Sequence, residues 1–293
     1  MTAGKYTYYP IRHRLISFLR DRDIRGIRRL SVDLPKWILP NPSKVGSYIL
    51  KTIHGFYLRI DPSIDKGVEL SLHETGTYEK GILDYLEKNL KKGDCFIDVG
   101  ANIGVMTLFA SQCVGENGQV FSYEASYSTL KILEENIQLN GYSNIVVCPF
   151  ALGATNEKAQ IYDNWQVNRG GASLVIKAQN AVSHEVDVHL LDEVFPTDIV
   201  PKMIKIDVEG FELEVLKGAQ NILKKHQPIL IIEFSEDREN VHNSSAEIVD
   251  FIRSHARYGL FKLAGGKERK SKLVEILSYD DLPKHDNVIC IPL

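Results

Sequence analysis

The chain has 293 residues, 44% hydrophobic and 25% charged, with 21 Gly and 11 Pro. That is the average composition of a soluble globular protein, which excludes disordered, collagen-like and low-complexity chains, and the length suits one large α/β domain or two small ones. No apolar run nears the roughly 20 residues a membrane-spanning helix needs, and the N-terminus lacks the apolar stretch of a signal peptide. The net charge of −3 predicts no nucleic-acid partner, yet the charge is uneven. Residues 1–36 carry nine Lys or Arg against three Asp, and the rest of the chain is acidic. Cys95, Cys113, Cys148 and Cys290 form no C-x-x-C and suit neither a zinc site nor a disulfide framework, so a reducing cytoplasm is expected.

In chain order, Ile11 to Leu30 forms a basic leader in which Ile11, Leu15, Phe18 and Leu19 recur at helical spacing, with arginines between them. Pro35, Pro40 and Pro42 predict a linker near 33–46, so residues 1–46 read as a helical extension ahead of a domain spanning 47–293. Tyr48–Ile53 and Phe56–Ile60 read as a hairpin across His54-Gly55, and a helix is expected from about Tyr78 to Leu90. From Cys95 the pattern alternates. Strands are expected at Cys95–Val99, Gln119–Tyr123, Ile145–Phe150, Met203–Ile206, Ile229–Phe234, Leu260–Leu263 and Val288–Ile291. Helices are expected at Val105–Cys113, Ser128–Leu139, Glu212–Lys225 and Glu247–His255. This alternation argues for a doubly wound, mostly parallel sheet with helices on both faces. Residues 151–191 break it and read as an insertion with strands of its own, and the polar 265–287 segment precedes an antiparallel finish.

The first alternating strand ends in Asp98-Val99-Gly100-Ala101-Asn102-Ile103-Gly104, with a helix after it. Glycines at such a turn admit a ligand close to the backbone and to the free N–H groups of the helix. The second strand ends at Glu124, where an acid can accept from both ribose hydroxyls of a nucleoside. Asn102 stands where a dinucleotide fingerprint has its middle glycine, so a pyrophosphate is disfavoured. Asp98 would instead hold a cationic amine such as that of S-adenosylmethionine. Tyr127 and Lys131 match the Y-x-x-x-K pair of short-chain dehydrogenases but lie too early in the chain, and chance explains them better. On the fourth strand Lys205, Asp207 and Glu209 share one side at the crevice, either as catalytic groups or as a self-satisfied ion cluster. Glu233 closes the fifth strand. His184 and His189, five residues apart on a strand, face opposite ways and make a poor metal pair. There is no Gly-x-Ser-x-Gly elbow and no P-loop.

FIDVGANIG, the acid of FSYEAS, KMIKIDVEGFELEVLKGA and PILIIEF together resemble the FkbM family of S-adenosylmethionine-dependent methyltransferases, from about Ile53 to the C-terminus. Gly76-Thr77-Tyr78-Glu79, Gly93-Asp94 and Gly170-Gly171-Ala172-Ser173-Leu174 also look like family positions. The resemblance implies a class I methyltransferase (Rossmann-like) α/β fold of seven strands, the last pair antiparallel, and methyl transfer to a hydroxyl of a sugar, glycan or glycosylated metabolite. It implies that Asp98, Gly100, Asn102 and Gly104 hold the methionine part, Glu124 the ribose, Glu79 the amino-acid end and Ala151-Leu152 the adenine side. Asp207 or Glu209 is then the expected base, with Lys205 orienting the pair. Metal-free catalysis is expected; a Mg²⁺ site would use Asp207 with Glu233, although Glu233 lacks a neighbouring acid or amide. N-methylation of an amine, and a non-catalytic binding or assembly subunit, are the competing readings. For the leader, packing on the domain as a lid or homodimer contact, contact with an anionic membrane surface, and a mobile tail are all open.

Overall fold

A computed structural model describes residues 6–7, 10–21, 27–163, 172–174, 182–235 and 244–293. In chain order the elements are β1 (Tyr6–Thr7), α1 (Pro10–Arg20), α2 (Ile27–Ile38), α3 (Pro42–Val45), β2 (Tyr48–Lys51), β3 (Tyr57–Ile60), α4 (Val68–Thr75), α5 (Lys80–Asn89), β4 (Cys95–Val99), α6 (Val105–Val114), β5 (Gln119–Tyr123), α7 (Tyr127–Asn140) and β6 (Ile145–Cys148). There follow β7 (Ala151–Leu152), β8 (Glu157–Asp163), β9 (Val182–His189), α8 (Leu191–Val194), β10 (Pro201–Ile206), α9 (Glu212–Lys217), α10 (Gln220–His226), β11 (Ile229–Ser235), α11 (Ser245–His255), β12 (Tyr258–Leu263), β13 (Leu273–Glu275) and β14 (His285–Pro292). No helix among the described residues is long and apolar enough to cross a membrane.

The main sheet has the order β13-β12-β14-β11-β10-β4-β5-β6. From β6 to β11 neighbouring strands run parallel, and β14 enters antiparallel between β11 and β12. The seven expected strands are all present, with the antiparallel finish; β13 adds an eighth at the edge. Its three residues are all exposed, so no buried periodicity announced it in the polar 265–287 segment. The central strands are apolar because both faces are covered. One core joins Ile97, Ile204 and Leu230 to α9, α10 and α11; the other joins Phe96, Met203 and Ile231 to α5, α6 and the β2–β3 hairpin.

Two expectations change in detail. The helix expected over Glu212–Lys225 is broken at Gly218-Ala219. A Cβ at Gly218 would stand 2.0 Å from the Gly153 carbonyl oxygen. The Gly218 carbonyl accepts from Asp192 N–H, and the Asp192 carboxylate in turn accepts from the N–H groups of Asn221 and Ile222, starting α10 afresh. The linker expected at 33–46 is partly helical, because α2 runs through Pro35 to Ile38, where Arg12 donates to the Ile38 carbonyl. Helix α4, eight residues between Gly67 and Gly76 with Val68 and Leu72 inward, has no side-chain cap to mark it in the sequence.

The leader packs on the domain. β1 pairs with β2, and Arg20 meets Glu74 while Lys80 meets Asp21. His13 is buried beside Gly76 and its Nε2 donates to the His73 carbonyl; burial pushes its pKa down to about 4, so it is neutral. Helix α1 packs through His13, Ile16 and Ser17, which point inward, while Ile11, Leu15 and Phe18 of the apolar spacing point outward.

Candidate active site

Asp98, Glu124, Asp207 and Glu233 stand at or near the carboxyl ends of the parallel strands, where ligands of open α/β sheets bind, and Glu79 joins them from the start of α5. The turn after β4 is held by its neighbours: Gly100 and Ala101 donate their N–H groups to the Tyr123 carbonyl, and Val99 accepts from Asp207 N–H. Gly100 has φ +80°, and a Cβ there would stand 1.9 Å from the Asp207 carbonyl oxygen, so this position requires glycine. Asn102, also left-handed, donates its N–H to Glu124 Oε2 at 2.8 Å, and Ser126 N–H donates to Glu124 Oε1 at 2.9 Å. The Glu124 carboxylate is thus fixed against the turn by two backbone donors at the edge of the cleft.

Asp98 is buried at the end of β4. Its Oδ2 accepts from Thr107 at 2.6 Å, and Thr107 is tied to Ser122. Its Oδ1 has no hydrogen-bond partner. Burial pushes the Asp98 pKa up, against the pull of Lys205 and Thr107. A buried acceptor of this kind is costly unless a donor reaches it, and a cationic donor would restore its charged form.

These residues line a cleft with about 1060 Å³ of empty space, part of it open to solvent. Asp98, Gly100, Asn102, Glu124, Ala151, Lys205, Asp207, Glu209 and Glu233 all border it. Gly104 does not: it starts α6 packed against Leu133. Glu79 is fully buried behind the lining. The insertion carries its own sheet, in the order β7-β9-β8, and brings Ile161, Ala172 and Leu174 to the cleft. Residues 170 and 171 of the glycine pair lie outside the described residues; Ser173 donates to the Glu209 carbonyl at 2.8 Å. Tyr127 and Lys131 are exposed on α7, away from the cleft, as chance matching requires. His184 and His189 are separate: His184 Nε2 accepts from Tyr127 N–H, and His189 pairs with Asn156.

An ion network runs from the cleft wall into the interior. Lys205, 4% exposed, reaches Asp207 at 2.8 Å. Burial opposes ionisation of Asp207, but the Lys205 and Lys267 ammoniums outweigh it and hold the carboxyl well below its usual range. The carboxylates of Glu79, Asp207 and Glu233 converge within 4.8 Å of one another. Lys267 sits among them, 2.9 Å from Glu79 and 2.5 Å from Glu233. Glu233 is pushed up to about 8, by burial first and then by Asp207, against the pull of Lys267. Lys267 was not singled out from the sequence. It lies in the 265–287 segment, and its backbone is clamped there: its N–H donates to Asp286, and its carbonyl accepts from Gly81. The pair of glycines ahead of it, in an otherwise charged run, was the one local signal.

The sequence pattern described as "Methyltransferase FkbM domain" matches residues 98–259, more than half of the chain. The chain belongs to the FkbM methyltransferase family. Among curated relatives of this FkbM methyltransferase, hexuronic acid methyltransferase AglP of Haloferax volcanii is 25% identical over 200 residues, covering 68% of this chain and 79% of the relative. A probable cobalt-precorrin-6B C(15)-methyltransferase of Saccharolobus solfataricus is 27% identical over 141 residues, 46% of this chain and 62% of that one. Among solved structures, the methyltransferase FkbM of Methylobacillus flagellatus KT aligns with a TM-score of 0.44 at 18% identity, over 75% of this chain and 52% of that one. The FkbM enzyme is a methyltransferase that uses S-adenosylmethionine, and the site suits that cofactor. The orphaned Asp98 oxygen fits its ammonium group, the Gly100 turn allows close approach, and the fixed Glu124 fits a ribose.

Proposed function

We propose that this enzyme methylates a hydroxyl group of a sugar residue without a metal ion. When bound, S-adenosylmethionine supplies an electrophilic methyl group. The chain must hold the acceptor in line with it, exclude water and take away one proton. Asp207 carries this reading: its carboxylate is kept ionised by Lys205, yet remains 20% exposed at the cleft. A methylated hydroxyl that still has its proton is a strong acid, so even a carboxylate of low pKa accepts that proton as the C–O bond forms. Lys205 fixes the Asp207 rotamer, and Glu233 beside it, pushed up to about 8 by burial and then by Asp207, provides a second acceptor. Glu209, in left-handed backbone at the rim, borders the acceptor side and is the alternative base.

The similarity to a hexuronic acid methyltransferase supports a sugar acceptor. So do Tyr78, Phe150 and Phe211, whose aromatic surfaces line the cleft and suit the apolar face of a sugar ring. The metal-free reading rests on the donor set: Lys267 already neutralises two of the three converging acids, Glu79 and Glu233, and Lys205 pairs with the third, Asp207.

The test is methyl transfer from labelled S-adenosylmethionine to a panel of neutral sugars, uronic acids and amines, with wild type and Asp207→Asn. Labelled sugar ether from wild type alone, at a rate unchanged by EDTA, supports the proposal. Transfer confined to amines, full activity in Asp207→Asn, or a loss in EDTA that Mg²⁺ restores would each contradict part of it.

A further inference from the structure

Helix α1 is amphipathic in the wrong sense for a helix whose apolar residues all serve the core. At about 100° per residue, Ile11, Leu15 and Phe18 fall within one narrow arc, and His13, Ile16 and Ser17 fall opposite. The structure buries the second set completely or nearly so and leaves the first more exposed: Ile11 is 81% exposed, Leu15 46% and Phe18 53%. Trp37 near the end of α2 is 72% exposed, and the Arg12 hydrogen bond to the Ile38 carbonyl ties that end to α1. Four large apolar side chains at the surface of one helix pair are more than the single exposed residues ordinary on soluble proteins.

Charge identifies the occupant. Arg12 and Arg14 flank the apolar arc on its two sides, Lys36 adjoins Trp37, and residues 1–36 carry nine basic side chains against three acidic ones. A second copy would bring the same basic rim face to face with itself. An anionic bilayer offers both an apolar layer for Ile11, Leu15, Phe18 and Trp37 and negative headgroups for the arginines.

We infer that the outer face of α1, with Trp37, is a docking surface for an anionic lipid bilayer. Docking there leaves the inward face undisturbed, because His13, Ile16, Arg20 and Asp21 hold α1 to α4 and α5 through contacts on the opposite side. It also bears on the reaction: α1 packs on α4, and Val68, the first residue of α4, lines the cleft. An acceptor presented at a membrane surface would therefore meet this enzyme on the side next to its site.

The experiment uses the full chain with sedimentable vesicles of phosphatidylcholine alone, or of phosphatidylcholine mixed equally with phosphatidylglycerol. Wild type is expected to sediment with the anionic vesicles, to be released by high salt, and to show a blue shift of tryptophan emission that Trp37→Phe abolishes. Ile11→Ser/Leu15→Ser should keep the wild-type melting temperature and weaken vesicle binding by at least ~10-fold. Arg14→Glu should weaken binding to the anionic vesicles and not alter the melting temperature. The inference is overturned if wild type never sediments with anionic vesicles, or if the double variant binds them as wild type does. It is equally overturned if sedimentation velocity shows that the apolar face serves a dimer, lost in Ile11→Ser/Leu15→Ser, while no vesicle binding is seen.

Discussion

Replacing Lys267 by Met removes one cation from between two buried acids and leaves the rest of the site in place. Lys267 Nζ lies 2.9 Å from Glu79 and 2.5 Å from Glu233, whose side chains are 1% and 5% exposed. Met fills similar space but leaves both carboxylates without their partner in a region that also contains Asp207. Removing one partner of a buried pair costs about 3–5 kcal/mol. For a chain of this size each kcal/mol is worth about 2 °C, so a fall in melting temperature of about 6–10 °C is expected at pH 7.5. The sign of the pH dependence follows from the acids left behind. Glu233 already has a folded pKa above its unfolded one, and loss of the Lys267 pull raises it further, so between those values the folded state binds more protons and its stability falls as pH rises. The deficit against wild type should therefore shrink as pH is lowered toward 5, and Glu79→Gln added to Lys267→Met should restore much of it at pH 7.5. Thermal unfolding of the three proteins at both pH values tests this. A Lys267→Met protein that melts with wild type at pH 7.5, or whose deficit is the same at pH 5, would refute the reasoning.

Other consequences are as direct. If the orphaned Asp98 oxygen receives the cofactor's ammonium group, Asp98→Asn removes a charge-assisted bond worth about 1.5–3 kcal/mol. Titration should show S-adenosylmethionine binding weakened by about 10- to 150-fold, and binding of methylthioadenosine, which lacks that group, nearly unchanged. In Gly100→Ala the new methyl would press on the Asp207 carbonyl, so cofactor binding should fall sharply and the melting temperature should drop; wild-type binding would disprove the close approach. Burial, then Asp207, push the Glu233 pKa up to about 8, so if Glu233 relays the proton that Asp207 takes from the acceptor, kcat/KM should rise with pH toward that value and Glu233→Gln should remove the limb, whereas a flat profile in wild type would leave Asp207 as the sole acceptor.

The sheet was legible because its signals are local. Short strand-prone runs such as Cys95–Val99 and Gln119–Tyr123 match their strands end to end, and Gly115 and Gly141 close the helices after them. Acids at strand ends were legible for the same reason: a charged residue in or just beyond a buried strand needs a task or a partner. What escaped was set by tertiary contacts. The α9–α10 break depends on Gly153 and Asp192, which lie far away in sequence. Helical periodicity showed that α1 has an apolar face, but not which way that face turns; His13 beside Gly76 decides that. Lys267 comes from a loop whose path is fixed by Asp286 and Gly81, and its role exists only where Glu79 and Glu233 meet.

The central claim is that the β4 turn, Asp98 and Glu124 form the S-adenosylmethionine site. Calorimetric titration of wild type and of Glu124→Ala with S-adenosylmethionine tests it most directly. The account predicts saturable, roughly micromolar binding to wild type, and its collapse in a variant that still melts cooperatively. Absence of binding to folded wild type, or equal binding to both proteins, would contradict it.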